Sequence, residues 1–145
     1  ITVGVRNITF NAAHYTLGLE SKCMNLHGHT YRVDVEVSGD INESTGMVLD
    51  FIYLKNIVKE IVEDYDHKII IPHRDLGRVR IEGLFKTSFK IIDYPYATAE
   101  YIALDIAKRI YDRLKLPVRV KLFEGFNNYV IVEYHGEERE GKRST

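Results

Sequence analysis

Two histidines one residue apart, His27 and His29, open a stretch that alternates as a β-strand does: Tyr31, Val33, Val35 and Val37 against Arg32, Asp34, Glu36 and Ser38. Residues two apart on a strand share a face. With extended geometry carried back through Gly28, the two imidazoles stand side by side on the face of Tyr31 and the valines. At that separation both can chelate one metal ion. His14 shares parity with Ile8, Phe10 and Ala12 on an earlier extended run, provided no bulge intervenes, and can approach the pair from a neighbouring strand. Three neutral imidazoles without a fourth protein ligand describe a catalytic zinc centre, whose open position takes water or substrate. The His-x-His spacing alone is a weak signal, because paired histidines on a half-buried strand are often only packed and hydrogen-bonded.

Other residues carry chemistry with a plainer reading beside it. Cys23, four residues before His27, is open to three roles: a buried small apolar side chain, a fourth ligand closing the metal site, or a thiolate favoured by a nearby metal and basic groups such as Lys22. Asp66-His67 follows a helical pattern, where a histidine favours the helix dipole or, oriented by a carboxylate, relays a proton. Adjacent side chains rarely face each other, so each is expected to find its partner elsewhere. Glu124 has the parity of Val118, Val120 and Leu122. A carboxylate at the end of an apolar face is costly without a partner: either the strand has left the core there, or the carboxylate accepts paired N–H donors from a flat heterocycle. Thr98 is most simply a helix N-cap. His73 and His135 have no supporting constellation and read as surface residues.

The elements that must position these groups follow from periodicity. Thr2 to Ala12 reads as a strand, Tyr15 to Asn25 as a loop, and about Gly28 to Ser38 as a second strand. Leu54, Ile57, Val58, Ile61, Val62 and Tyr65 recur at helical spacing after a capping Asp50. Ile69 to Pro72 is a short apolar run. Arg78 to Ile92 reads as a hairpin turning at Glu82-Gly83, with Val79, Ile81, Phe85 and Phe89 as its apolar positions. Ala99, Ile102, Ala103, Ile106, Ile110 and Leu114 form the stripe of a second helix that ends before Pro117. Pro117 to Glu124 and Tyr129 to Tyr134 are the last two strands. The order strand–strand–helix–insert–helix–strand–strand predicts an α+β fold, a four-stranded antiparallel sheet with both helices on one face.

The 145 residues, 45% hydrophobic and 28% charged, form one domain over residues 1–136, with a charged tail from Glu137 to Thr145 expected to fray. With a net charge of −1 and no long basic run, nothing points to nucleic acid as the main partner. No apolar run has the length of a membrane span, and the first residues read as a strand rather than a signal peptide. One cysteine excludes an internal disulfide and fits a reducing, cytoplasmic compartment. The absence of Gln and Trp, with abundant Lys, Glu and Ile, is a thermophile-like composition.

Taken together and in order, Asn11-Ala-Ala-His14, Cys23-x-x-x-His27-Gly-His29-x-Tyr31, Gly46-Met-Val-Leu-Asp50-Phe51, Asp66-His67, Ala97-Thr98-Ala99-Glu100 and Glu124 resemble the 6-pyruvoyltetrahydropterin synthase / 6-carboxytetrahydropterin synthase family, from residue 5 to about 134. The resemblance implies the tunnelling fold, in which three subunits join their sheets into a barrel and two trimers stack. It implies 7,8-dihydroneopterin triphosphate as substrate and Zn2+ held by His14, His27 and His29. Cys23 matches the family's proton acceptor, with Asp66, His67 and Glu124 as the supporting relay. Glu124 also matches the residue anchoring the pterin ring, and Thr98 lies where the chain helps hold it. Ring reduction is internal, so no nicotinamide is implied, and the chain has no Gly-rich dinucleotide fingerprint.

The three-residue spacer between Cys23 and His27 matches the 6-carboxy branch of deazapurine (queuosine or archaeosine) biosynthesis. The 6-pyruvoyl enzyme, a sister forming a 6-hydroxymethyl product, and a non-catalytic zinc-stabilised module follow as alternatives. The sister enzyme uses a Glu near His-Gly-His; none lies between Cys23 and His27, and Glu20 is the nearest candidate. Two departures stand out: Lys68 to Tyr94 is longer than the usual link, and the proline before the threonine motif is displaced to Pro95. The resemblance predicts a homo-oligomer, a hexamer of two trimers, whose neighbours cover the open sheet edges. A stable monomer at micromolar concentration in sedimentation would contradict it.

Overall fold

The computed structural model describes residues 1–18 and 22–136. Its elements are β1 (Thr2–His14), β2 (His27–Ser38), α1 (Phe51–Glu63), β3 (Lys68–Pro72), β4 (Phe89–Ile92), α2 (Ala99–Leu114), β5 (Val118–Glu124) and β6 (Asn128–Tyr134). Short 310 turns occupy Lys22–Met24 and His73–Asp75. The expected tail and Glu20 lie outside the described residues. Among the described residues no helix is long and apolar enough to cross a membrane.

Among the described residues the sheet has six strands rather than four, in the order β4-β3-β1-β2-β5-β6. The four expected strands are antiparallel neighbours, whereas β3 runs parallel to β1 and β4 parallel to β3. The expected hairpin is absent: residues 79–88 form no strand, and only Phe89–Ile92 is extended. Leu84 and Phe85 are exposed, so the foreseen arm has no face to bury. The β3 edge instead offers a ladder that Phe89–Ile92 can complete, with Ile92 buried on the core. A long connection is what a parallel pair requires.

Both helices lay apolar stripes on one sheet face. Leu54, Ile57, Val58, Ile61 and Val62 come from α1; Ile102, Ala103, Ile106, Ala107 and Ile110 come from α2. Asp50 caps α1 by accepting the Ile52 N–H, and Thr98 caps α2 by accepting the Tyr101 N–H, both at 3.4 Å. A bulge interrupts β1: Val5 pairs with Val35 and Ile8 with Val33, so β1 carries one extra residue. Asn7 absorbs it with a left-handed φ of 63° and donates its N–H to the Asp34 carboxylate at 3.0 Å. The bulge lies upstream of Ile8, so the shared face of Ile8, Phe10, Ala12 and His14 survives it.

Three strands then end their buried faces at the same rim. On β1 the inward series is Ile8, Phe10, Ala12, His14; on β2 it is Val37, Val35, Val33, Tyr31, then His29 and His27; on β5 it is Val118, Val120, Leu122, Glu124. The register pairs His14 with His27, Ala12 with His29, and Tyr31 with Glu124. Gly125, at φ 70°, turns the chain directly after Glu124 and hydrogen-bonds its N–H to the Thr30 carbonyl at 3.1 Å, which fixes the strand end.

One ionic cluster ties these layers together. Asp64, the C-cap of α1, receives Lys90 at 2.5 Å and Lys68 and Arg109 at 3.1 Å, so one carboxylate joins α1 to β3, β4 and α2. The Lys90 hydrogen bond, aided by Lys68, holds its pKa down to about 2. A folded-state pKa below the unfolded one stabilises the fold above the unfolded pKa, and this is lost as pH falls from about 4 toward 2. The side chain is 37% exposed, so screening leaves about 1 kcal/mol. Asp64→Asn is expected to cost about that much at pH 7 and nothing near pH 2. Urea unfolding at the two pH values checks it; an equal cost at both would refute the assignment.

Candidate metal centre

His14, His27, His29 and Glu124 bring one ligand atom each within 4.8 Å of one another. Their ring centroids are close: His14 to His27 4.7 Å, His27 to His29 4.8 Å, His14 to His29 5.2 Å. His14 is buried, and its Nδ1 lies 2.7 Å from the Ala97 carbonyl. His27 Nδ1 lies 2.6 Å from the Asn25 carbonyl. A carbonyl only accepts, so each Nδ1 carries the proton and each Nε2 keeps its lone pair. Outer partners of this kind fix tautomer and ring orientation at metal sites.

The remaining polar atoms are unpaired in a telling way. His14 Nε2, His29 Nε2 and the Tyr31 hydroxyl are buried without a hydrogen-bond partner. Glu124 Oε1 lies 2.6 Å from His29 Nε2 and 3.3 Å from His14 Nε2, as close ionic contacts. Leaving such groups unsatisfied costs about 1–3 kcal/mol each. A cation among them would satisfy all the donor atoms at once, so the residues fit a metal. Burial pushes the His29 imidazole below its ordinary pKa, toward the neutral form a ligand needs. Glu124 is held low, chiefly by His14, and stays ionised. Imidazole and carboxylate donors suit zinc and related divalent ions.

The other expected site residues are placed as follows. Cys23 lies on the 310 turn Lys22–Met24, exposed and outside the donor group. Its carbonyl accepts the Thr16 N–H at 2.8 Å, folding the loop back on the end of β1. The exposed thiol overturns the buried reading. Asp66 and His67 correct the expectation that neighbours would not meet: His67 Nδ1 is 2.9 Å from Asp66 Oδ2. His67 has a φ of 58°, which curls the chain so that the two side chains converge. Asp66 also accepts the Asn11 N–H at 2.8 Å, the main reason its carboxyl titrates low. His67 shares a cleft of about 470 Å³ with His29, Gly28, Thr30 and Lys68. Cys23 precedes β2 and Asp66–His67 precede β3, so the chain brings them to opposite flanks of β1.

Glu124 lies within reach of the three imidazoles, in the group that could hold a metal. Thr98 is the N-cap of α2 and follows Ala97, the acceptor that holds His14. His73 and His135 are exposed, as expected. Sequence reasoning missed the Ala97 and Asn25 carbonyls and the Tyr31 hydroxyl. Backbone carbonyls leave no side-chain signal, but Tyr31 had one, since it continues the parity of His27 and His29.

The family model described as 6-pyruvoyl tetrahydropterin synthase matches residues 4–135. A Haemophilus influenzae 6-carboxy-5,6,7,8-tetrahydropterin synthase is 39% identical over 115 residues, covering 76% of this chain and 79% of that protein. The enzyme of that name from Rickettsia bellii is 32% identical over 135 residues, covering 88% and 96%. A catalytic-residue mutant of Plasmodium vivax 6-pyruvoyltetrahydropterin synthase superposes with a TM-score of 0.75 at 21% identity, covering 92% of this chain and 97% of that one, and shows the same fold. The geometry predicts that His29→Ala lowers bound divalent metal, measured by elemental analysis after dialysis. Unchanged metal content would remove the cluster from consideration.

Proposed function

The chain belongs to the 6-pyruvoyl tetrahydropterin synthase family, and on that premise we propose that it converts 7,8-dihydroneopterin triphosphate and one water to 6-carboxy-5,6,7,8-tetrahydropterin, releasing triphosphate and acetaldehyde. The observation that supports this reading most is the convergence of three imidazoles, with His14 and His29 Nε2 buried and unpartnered beside an ionised Glu124. Cys23 lies outside the donor group, which supports a thiol base rather than a ligand.

In this reading His14, His27 and His29 hold Zn2+, which when bound supplies Lewis acidity toward substrate side-chain oxygens and so acidifies the neighbouring C–H bonds. Cys23, as thiolate, accepts a side-chain proton. His67, oriented by Asp66 at 2.9 Å, carries protons onward. Glu124 accepts N–H donors of the pterin ring, and Thr98 helps to hold it. The exposed position of Cys23 suits a group that must meet substrate. The ring is reduced at the expense of the side chain, so no further redox partner is required.

The 6-carboxy product is favoured over the 6-pyruvoyl one by the three-residue spacer after Cys23 and by relatives at 39% and 32% identity that carry the 6-carboxy name. We place the reaction in the cytoplasm, in deazapurine biosynthesis, and in a hexamer whose subunits pair at the open edges β4 and β6. Mass spectrometry of the products from dihydroneopterin triphosphate tests the reaction, with Cys23→Ala alongside the parent. The parent is expected to yield the 6-carboxy compound. The variant is expected to keep its zinc and lose on the order of 10²–10⁴ in turnover, the usual contribution of a general base. A 6-hydroxymethyl product, or zinc lost with the thiol, would sink this assignment.

A further inference from the structure

The segment from Lys68 to Tyr94 is anchored at two points beside His14. Asp75 is 5% exposed and accepts the Tyr15 hydroxyl at 2.6 Å, and Tyr15 follows His14 in the chain. On the adjoining residue, the Arg74 guanidinium carbon lies 4.6 Å from the centre of the Tyr96 ring. Tyr96 precedes Ala97, whose carbonyl holds His14 Nδ1 at 2.7 Å. The 310 turn His73–Asp75 thus grips the residue after the metal donor and the residue before that donor's acceptor. A buried carboxylate is costly unless it is bonded, so the Tyr15 hydroxyl sets where the turn can sit.

The same segment concentrates positive charge. Residues 73–90 contain Arg74, Arg78, Arg80, Lys86 and Lys90 against Asp75 and Glu82, a net of +3, so the rest of a chain of net −1 carries −4. Lys90 is taken up by Asp64. Arg78 is 74% exposed and only 3.7 Å from Asp75, beyond hydrogen-bond length. Arg74 is exposed and lies over the Tyr96 ring, a contact made with the guanidinium carbon rather than through its N–H donors. The rival cationic surface is a groove of about 580 Å³ on the sheet face away from the helices. There Arg6, Arg32, Arg119 and Lys121 outnumber Asp34 and Glu36, but the groove lies on the face opposite the inward series that ends in His14, His27, His29 and Glu124.

We propose that Arg74 and Arg78 clamp the polyphosphate tail of the substrate, held beside the metal centre by the Tyr15–Asp75 hydrogen bond and the Arg74–Tyr96 cation–π contact. The clamp rests on the reading of the substrate as a triphosphate ester. Its chemistry suits the step: the tail leaves as triphosphate, and planar guanidinium forks match phosphate oxygens in geometry and charge. The departures in length and proline position then have a single consequence, an added turn that carries the anion-binding groups.

Titration calorimetry of the zinc-loaded protein with inorganic tripolyphosphate tests the clamp, comparing the parent with Arg74→Ala/Arg78→Ala. Any contribution of the metal is common to both proteins and cancels. The double variant is expected to bind roughly tenfold or more weakly, with unchanged metal content, since two charge-assisted contacts are lost. For dihydroneopterin triphosphate, KM should rise by more than kcat falls. Arg74→Lys/Arg78→Lys should recover part of the affinity. Equal tripolyphosphate affinity in parent and double variant overturns the clamp, and persisting turnover would then leave the proposed reaction standing. Lost tripolyphosphate affinity in the variant, with no turnover by the parent, supports the clamp and overturns the reaction instead.

Discussion

The pairing of His14 with His27 across β1 and β2, and of Tyr31 with Glu124 across β2 and β5, is the constraint on which the site depends. Strand side chains alternate with a period of two, so a slip of one residue in either pair would send a whole inward series to the other face. The register is secured far from the site by Val33, Val35, Val37, Val118, Val120 and Leu122, which are buried against both helices. The hydrophobic core therefore aims the imidazoles. Even the bulge at Asn7 serves this end, because it lets Val3 and Val5 pack on the same core as Ile8 and Phe10 despite their opposite parity.

At the rim of that core, polar groups are desolvated before any ligand is bound. His14 sits at 2% exposure with its Nε2 unpartnered, and Tyr31, stacked on Phe10 at 4.9 Å, keeps an unpartnered hydroxyl at 0%. Such burial weakens the fold, and the apolar layers around it offset the cost. What it provides is preorganisation: the tautomers of His14 and His27 are set by carbonyls. The rings are locked by neighbours, so a metal arriving here has little left to order.

Interactions outside the core departed most from expectation. The Asp66–His67 contact depends on a left-handed φ at His67, a conformation uncommon for residues other than glycine and invisible to parity arguments. It is supported from outside, since β1 supplies the Asn11 N–H to Asp66 and the Asn11 carbonyl takes the His67 N–H at 2.6 Å. The missing hairpin has a similar cause. Val79, Ile81 and Phe85 alternate acceptably, but alternation makes a strand only where a partner edge and a face to bury exist. The β3 edge accepted Phe89–Ile92 alone.

Period and parity were legible from the chain itself. Both helices with their Asp50 and Thr98 caps, the four long strands, the inward set ending in His14, His27, His29 and Glu124, and the family likeness all follow from side-chain type and spacing. These are local properties, and local sterics and hydrophobic burial decide them. Tertiary structure alone decided that Glu124 lies within reach of the three imidazoles, that Cys23 lies outside that group, that β3 and β4 extend the sheet, and that the 73–75 turn is pinned beside His14. Each of these depends on atoms distant in sequence, and several on backbone carbonyls that every residue has alike. Residue type therefore carries no trace of them, and only the packing of the whole chain brings them into contact.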